Sequence, residues 1–193
     1  MIKRIAVFCG SRKGTKDAYE LAAKRLAKIL VEGEIELVFG GGRVGLMGIL
    51  ADSIITQGGK VTGVIPTGLS TREVVHQNLT ELVTVSDMHE RKAKMLDLAD
   101  AFIVMPGGIG TMDEFFEAWT WYQLGIHEKP VGLLNVEGYF DSLTNYLHTM
   151  VDQDFLAEEH FKSLCTSDCP KALIHKLKLS KRASKSVWVT DSN

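Results

Sequence analysis

The chain lacks any run of about 18 consecutive apolar residues, the length a membrane-spanning helix requires. Its opening segment, MIKRIAVFCG, holds too short an apolar stretch for a secretory leader. A cytoplasmic protein with no membrane partner is the expectation. An excess of one charge is missing as well: 22 basic residues stand against 24 acidic ones, a formal net charge of −2. That balance argues against nucleic acid as a partner, because no strongly basic half exists to meet a phosphate backbone. Cysteine is scarce, and Cys9, Cys165 and Cys169 fit a reducing compartment. Cys165 and Cys169, with His160 and His175 nearby, match no familiar zinc spacing, so no metal site is expected. His76, His89, His127 and His148 have no partner at metal or triad spacing and read as structural or exposed. The first glycine turn, Gly10-Ser11-Arg12-Lys13-Gly14-Thr15, has no G-K-[ST], which argues against ATP-driven phosphoryl transfer. No GxSxG nucleophile elbow occurs either.

What is present is a repeated pattern of strand, glycine and helix. With 193 residues, 45% of them hydrophobic, the chain is long enough for one substantial core. Buried strands are expected over residues 2–9, 35–39, 61–65, 101–105 and 131–134, with a short one over 82–85. Pro66 is expected to halt the third strand. Tyr19, Ala22, Ala23, Leu26, Ala27 and Leu30 form an apolar stripe at helical spacing. Further helices are expected over 45–57, 86–99 (Ser86 or Asp87 as N-cap) and from the glycines at 107–110 to about 124. Continuous apolar strands alternating with helices mean a parallel sheet covered on both faces. The fold expected is a single Rossmann-like, doubly wound α/β domain over residues 1–179, followed by a polar tail over 180–193. Ligands of such sheets sit at the carboxyl ends of the strands, so the loops at 10–12, 40–42, 66–68 and 106–111 should ring one cleft.

The most informative stretch is AFIVMPGGIGTMDEFF, residues 101–116. A buried strand runs through Pro106-Gly107-Gly108-Ile109-Gly110-Thr111 into a helix, which presents open backbone N–H groups and a positive helix end to an anion. Glu114 follows within the first turn or so, where a carboxylate would repel a phosphate. It makes sense facing another part of the same ligand, which suggests a nucleotide whose ribose is the reacting group. At about 100° per residue, Glu114 shares the apolar arc of Thr111, Phe115, Ala118, Trp119 and Tyr122, whereas Asp113 and Glu117 face away. In the preceding helix Arg91 and Lys92 fall within the arc of Met88, Met95, Leu96, Leu98 and Ala99, with Glu90, Lys94 and Asp97 outside it. Cations on a buried side are costly unless paired, so they read either as anion recognition or as a structural partner for Glu114. Gly40-Gly41-Gly42-Arg43-Val44-Gly45 satisfies GxGxxG, but no acidic residue closes the next strand and the motif follows the second strand. It reads as close backbone approach to a ligand smaller than a dinucleotide. Glu73 on its own reads as a solvated charge.

These residues resemble the LONELY GUY (LOG) family, cytokinin riboside 5′-monophosphate phosphoribohydrolases. That family's PGGxGTxxE motif stands here as Pro106 to Glu114, with Met88-His89-Glu90-Arg91-Lys92 upstream and similar blocks covering about residues 5–140. The resemblance implies hydrolysis of the N-glycosidic bond of a nucleoside 5′-monophosphate, without a cofactor, by Arg91 and Glu114 as the catalytic pair. It implies substrate contacts from Glu73, Arg91, Lys92, Gly107, Gly108, Ile109, Gly110, Thr111, Met112, Asp113, Glu114 and Thr120, and a homodimer or larger homo-oligomer. Arg91 is expected to keep Glu114 ionised. Whether Glu114 is nucleophile, base or electrostatic stabiliser stays open, as does the choice between prenylated adenine and other purine bases. A competing reading comes from related folds that carry the molybdenum cofactor without turning it over, and the joint presence of Arg91 and Glu114 favours the enzyme. The label "lysine decarboxylase" that many family members bear finds no support in these residues, since no partner acid for a pyridoxal ring is evident.

Overall fold

The computed structural model describes residues 1–69 and 75–180. Seven strands, β1 (Arg4–Phe8), β2 (Glu36–Phe39), β3 (Val61–Pro66), β4 (Glu81–Val85), β5 (Ala101–Val104), β6 (Val131–Leu134) and β7 (Cys165–Ser167), form one sheet in the order β4-β3-β2-β1-β5-β6-β7. Every pairing in it is parallel. Successive side chains of a strand point to opposite faces, which is why the inner strands β1, β2, β3, β5 and β6 are largely apolar. In β1, Ile5 and Val7 enter one core while Ala6 and Phe8 enter the other.

Helices α1 (Asp17–Glu32), α2 (Gly45–Ile55) and α7 (Pro170–Leu179) cover the first face. The second face carries α3 (Met88–Leu98), α4 (Ile109–Gln123), α5 (Asp141–Asp152) and α6 (Glu158–Ser163). The expected stripe of α1 is its buried face. Asp87 is the N-cap of α3: its side chain accepts the Glu90 N–H at 2.9 Å, while the Glu90 carboxylate accepts the Ser86 N–H at 2.7 Å. Two orphan donors are thereby satisfied, and the start of α3 is fixed.

The doubly wound sheet expected from the sequence is therefore present, with differences at its margins. Pro66 is the last residue of β3 rather than the residue after it, and it pairs with Val85. The lack of an N–H matters little at a strand terminus. The 131–134 strand is not the last: β7, flanked by α5, α6 and α7, extends the sheet. Met88 is exposed rather than buried, because α3 is still emerging from the sheet edge at its first residue. Of the tail over 180–193, residues 181–193 lie outside the described residues. No helix among the described residues is long and apolar enough to cross a membrane.

Topology sets the place of the site. The chain lays down β1 to β4 in one direction, then crosses under β3, β2 and β1 through α3 to begin β5 on the far side of β1. The connections leaving β1 and β5 diverge, and a crevice opens between them at the carboxyl ends. Both α3 and α4 start at that edge, so their first turns lie level with the strand ends.

Candidate active site

The turn between β5 and α4 is open. Gly108 is the N-cap of α4, with no side chain capping it, so the first-turn amides of the helix are left for a ligand. A side chain on Gly108 or Gly110 would meet nothing within 4 Å. Gly108, Ile109 and Gly110 are exposed, and Thr111 is buried beneath them. Gly107 is confined by contrast: a Cβ there would overlap Thr111 and come within 2.9 Å of the Gly10 nitrogen. Gly10 N–H donates to the Pro106 carbonyl at 3.0 Å, tying the β1 and β5 ends together.

A cleft of about 390 Å³ lies against this turn. Of the four loops expected to ring it, those after β1 and β5 do so, joined by Tyr19, Leu46 and Tyr139. The loops at 40–42 and 66–68 are not among the residues lining it. A larger hollow of about 890 Å³ lies at the amino ends of the strands, lined by Lys3, Glu36, Lys60 and Asp100 among others, away from the glycine turn. Tyr139 donates its hydroxyl to the Gly107 carbonyl at 2.5 Å and packs edge-on against Tyr19. It went unnoticed in the sequence, although it sits in the loop after β6, another carboxyl-end connection.

One turn beyond the amides, α3 and α4 bring five charges together. Arg91 Nη2 lies 3.3 Å from Glu114 Oε1, with both side chains largely buried (14% and 13% exposed). Lys92 reaches Asp113 at 3.2 Å and Glu117 at 3.1 Å. Glu117, expected to face away, is drawn inward by Lys92 and has one oxygen buried without a partner. The signal for it was the imbalance of three acids within five residues of α4 opposite two adjacent cations of α3.

Burial pushes the Glu114 carboxyl from its ordinary 4.5 up to about 7, against the pull of Arg91 and Lys92 and with Asp113 and Glu117 adding to the rise. Arg91 therefore does not keep it fully ionised, contrary to the sequence expectation: desolvation outweighs one guanidinium, and the carboxyl titrates near neutrality. Burial works against the Lys92 ammonium, yet its hydrogen bonds to Glu117 and Asp113 prevail and its pKa rises. Burial, with Glu114 adding, pushes the Cys9 thiol upward and holds it neutral, a poor nucleophile.

The remaining expected site residues divide. Met112 is half-buried at the edge of the second core. Thr120 is exposed, six residues beyond Glu114, which places it about 240° around α4 and about 9 Å along it. Glu73 lies outside the described residues. His76 donates from Nε2 to Asp52 while its Nδ1 accepts the Asn78 N–H, and His127 likewise bridges the Ala118 carbonyl and the Lys129 N–H. Cys165 and Cys169 belong to β7 and the cap of α7, His160 is buried on α6, and His175 is exposed on α7. Among the described residues, no three His, Cys, Asp or Glu side chains converge on a possible metal position.

A doubly wound parallel sheet with open amides and a largely buried carboxylate–guanidinium pair near its switch point defines a Rossmann-like protein. The family model described as "possible lysine decarboxylase" matches residues 47–177. The chain is 46% identical over 191 residues to the cytokinin riboside 5′-monophosphate phosphoribohydrolase LOG7 of Arabidopsis thaliana, covering 96% of this chain and 88% of that one. It is 52% identical over 155 residues to LOG2 of the same plant, covering 80% and 73%. The chain belongs to the LOG family. In fold it is similar to the molybdenum cofactor carrier protein of Chlamydomonas reinhardtii, with a TM-score of 0.70 at 17% identity over 93% of this chain and 98% of that one.

Proposed function

We propose that this protein hydrolyses the N-glycosidic bond of purine nucleoside 5′-monophosphates (cytokinin riboside or adenosine 5′-monophosphate), releasing free base and ribose 5-phosphate. The observation that carries this reading is the buried Arg91–Glu114 pair one turn beyond the unfilled amides of α4. The names and identities of the LOG relatives support it. An anion seat alone would serve a carrier, which gains little from a carboxylate; a glycosidase needs one beside the sugar.

The 5′-phosphate takes the N–H groups at the start of α4, and the ribose then lies over Glu114. As the bond from C1′ to the base nitrogen breaks, its electron pair leaves with the base and positive charge spreads over C1′ and the ring oxygen. The Glu114 carboxylate faces that charge and accepts a proton from water as the water oxygen bonds to C1′. The proton ends on the departing base. Lys92 is held as an ammonium by Asp113 and Glu117, which leaves it unsuited to a Schiff base and speaks against decarboxylase chemistry. A homo-oligomer and a cytoplasmic location belong to the same proposal. The position of Thr120, on another face of α4 from Glu114, fits a nucleotide site completed by a second copy.

Incubation of the purified protein with AMP and with isopentenyladenosine monophosphate, followed by chromatography of free base, tests the reading. Faster release from the prenylated nucleotide identifies a cytokinin-activating enzyme, and comparable rates a general nucleotide nucleosidase. Binding without release from either would overturn the hydrolase in favour of a carrier.

A further inference from the structure

The glycine run after β2 has no ligand role in the reading above, yet one of its members is shaped around the reacting pair. The three heavy atoms nearest to a Cβ built on Gly40 all belong to Arg91: the position overlaps Nη2 and lies 3.0 Å from Cζ and 3.5 Å from Nε. The guanidinium is thus laid against the bare Cα of Gly40. Three further contacts define where it lies. Nε donates to the Val64 carbonyl near the end of β3 at 3.2 Å, Nη1 lies 3.1 Å from Met88 Sδ, and Nη2 faces Glu114.

We infer that Gly40 is a positioning residue for the hydrolysis, its missing side chain forming the seat that holds Arg91 as a fixed counter-ion to Glu114. This rests on the reading of Arg91 and Glu114 as the reacting pair. A long arginine on a helix would otherwise trade among many rotamers. Here the ends of β2 and β3 and the first turn of α3 leave it one orientation, with its fork toward the carboxylate rather than reaching for the phosphate. Any side chain at position 40 displaces the guanidinium, which is the movable partner, so the damage falls on the pair rather than on the fold. The charges facing Glu114 are then Lys92 from α3 and Asp113 and Glu117 from its own helix, with the neutral Cys9 thiol from the end of β1.

The test compares Gly40→Ala, Arg91→Ala and the double variant with the wild type, by AMP hydrolysis, thermal melting and carboxyl 13C NMR titration of Glu114. Gly40→Ala is expected to fold, to lower kcat about 100-fold through misplacement of one group, and to leave KM within about threefold. The Glu114 titration should move to higher pH in Gly40→Ala and Arg91→Ala alike. In the Arg91→Ala background, Gly40→Ala should change neither the titration nor the residual rate. Wild-type kcat and an unmoved titration in Gly40→Ala overturn the inference, as do losses that persist undiminished without Arg91. Should Gly40→Ala fail to fold, recovery of folding in the double variant supports the seat, and failure of both overturns it. The NMR arm needs no turnover, so it decides the seat even if the wild type releases no base.

Discussion

Two glycine turns lead from a strand into a helix on the same edge of this sheet, and they do opposite things. The turn from β2 into α2 is filled by the chain itself. Gly40 accommodates Arg91, a Cβ on Gly45 would overlap the backbone of Ser11 and Arg12, and one on Gly48 would overlap the Arg43 carbonyl. The turn from β5 into α4 is empty where it matters, since Gly108 and Gly110 face open space. Yet the first turn carries the GxGxxG pattern that is read as ligand binding, and at Gly40 and Gly45 the protein's own groups approach the backbone closely. A glycine pattern reports that something approaches the backbone closely; only the packing tells whether that is a ligand or another part of the chain.

The largest effect that would test this contrast lies at the pair beside the open turn. Glu114→Gln should lower kcat for base release by about 1,000-fold or more, with nucleotide binding by calorimetry retained. Appreciable turnover in that variant removes Glu114 from the chemistry.

Next come alanines placed in the two turns. Gly45 has φ +63°, in the left-handed region, and presses on the loop after β1, so Gly45→Ala should cost about 3 kcal/mol of stability in urea unfolding. Gly110 is helical and open, so Gly110→Ala should gain about 0.5 kcal/mol while raising KM for AMP several-fold. Equal costs of stability at the two sites would erase the contrast.

A third effect is in the pH dependence. If the carboxylate form of Glu114 acts, kcat/KM falls as pH drops through about 7. The folded pKa lies above the ordinary 4.5, so the native state holds this proton more tightly than the unfolded chain does. The group's contribution to stability is fully present below 4.5 and is lost as pH rises to about 7. Melting of the wild type between pH 4.5 and 7 should show this decline, and Glu114→Gln should lack it. The smallest effect is expected from Asp113→Asn. Asp113 raises the Glu114 pKa but is more than half exposed, so the acid limb should shift only slightly, to lower pH.

Much of the frame was legible because its signals are local. Strands β1, β2, β3, β5 and β6 are apolar on both faces, and the stripe of α1 and the arc of Glu114 follow from helical periodicity alone. β7 escaped notice because three residues, Cys165, Thr166 and Ser167, are too short and too polar to show any period. Glu117 was misjudged because an arc drawn on α4 says nothing of a lysine arriving from α3. Tyr139 was overlooked because its role rests on one hydroxyl reaching a carbonyl 32 positions away in the chain.

The sequence by itself determined the alternation of strands and helices, the open amides at the start of α4 and the presence of a carboxylate one turn later, since each depends on neighbours a few residues apart. Only the tertiary structure decided that Arg91 meets Glu114 across 23 positions, that Gly40 makes room for it from a different strand, and that burial carries Glu114 to about pH 7. Those outcomes depend on the α3 crossover beneath β3, β2 and β1 and on the water it excludes, and neither the path of a crossover nor a dielectric environment is a property of local sequence.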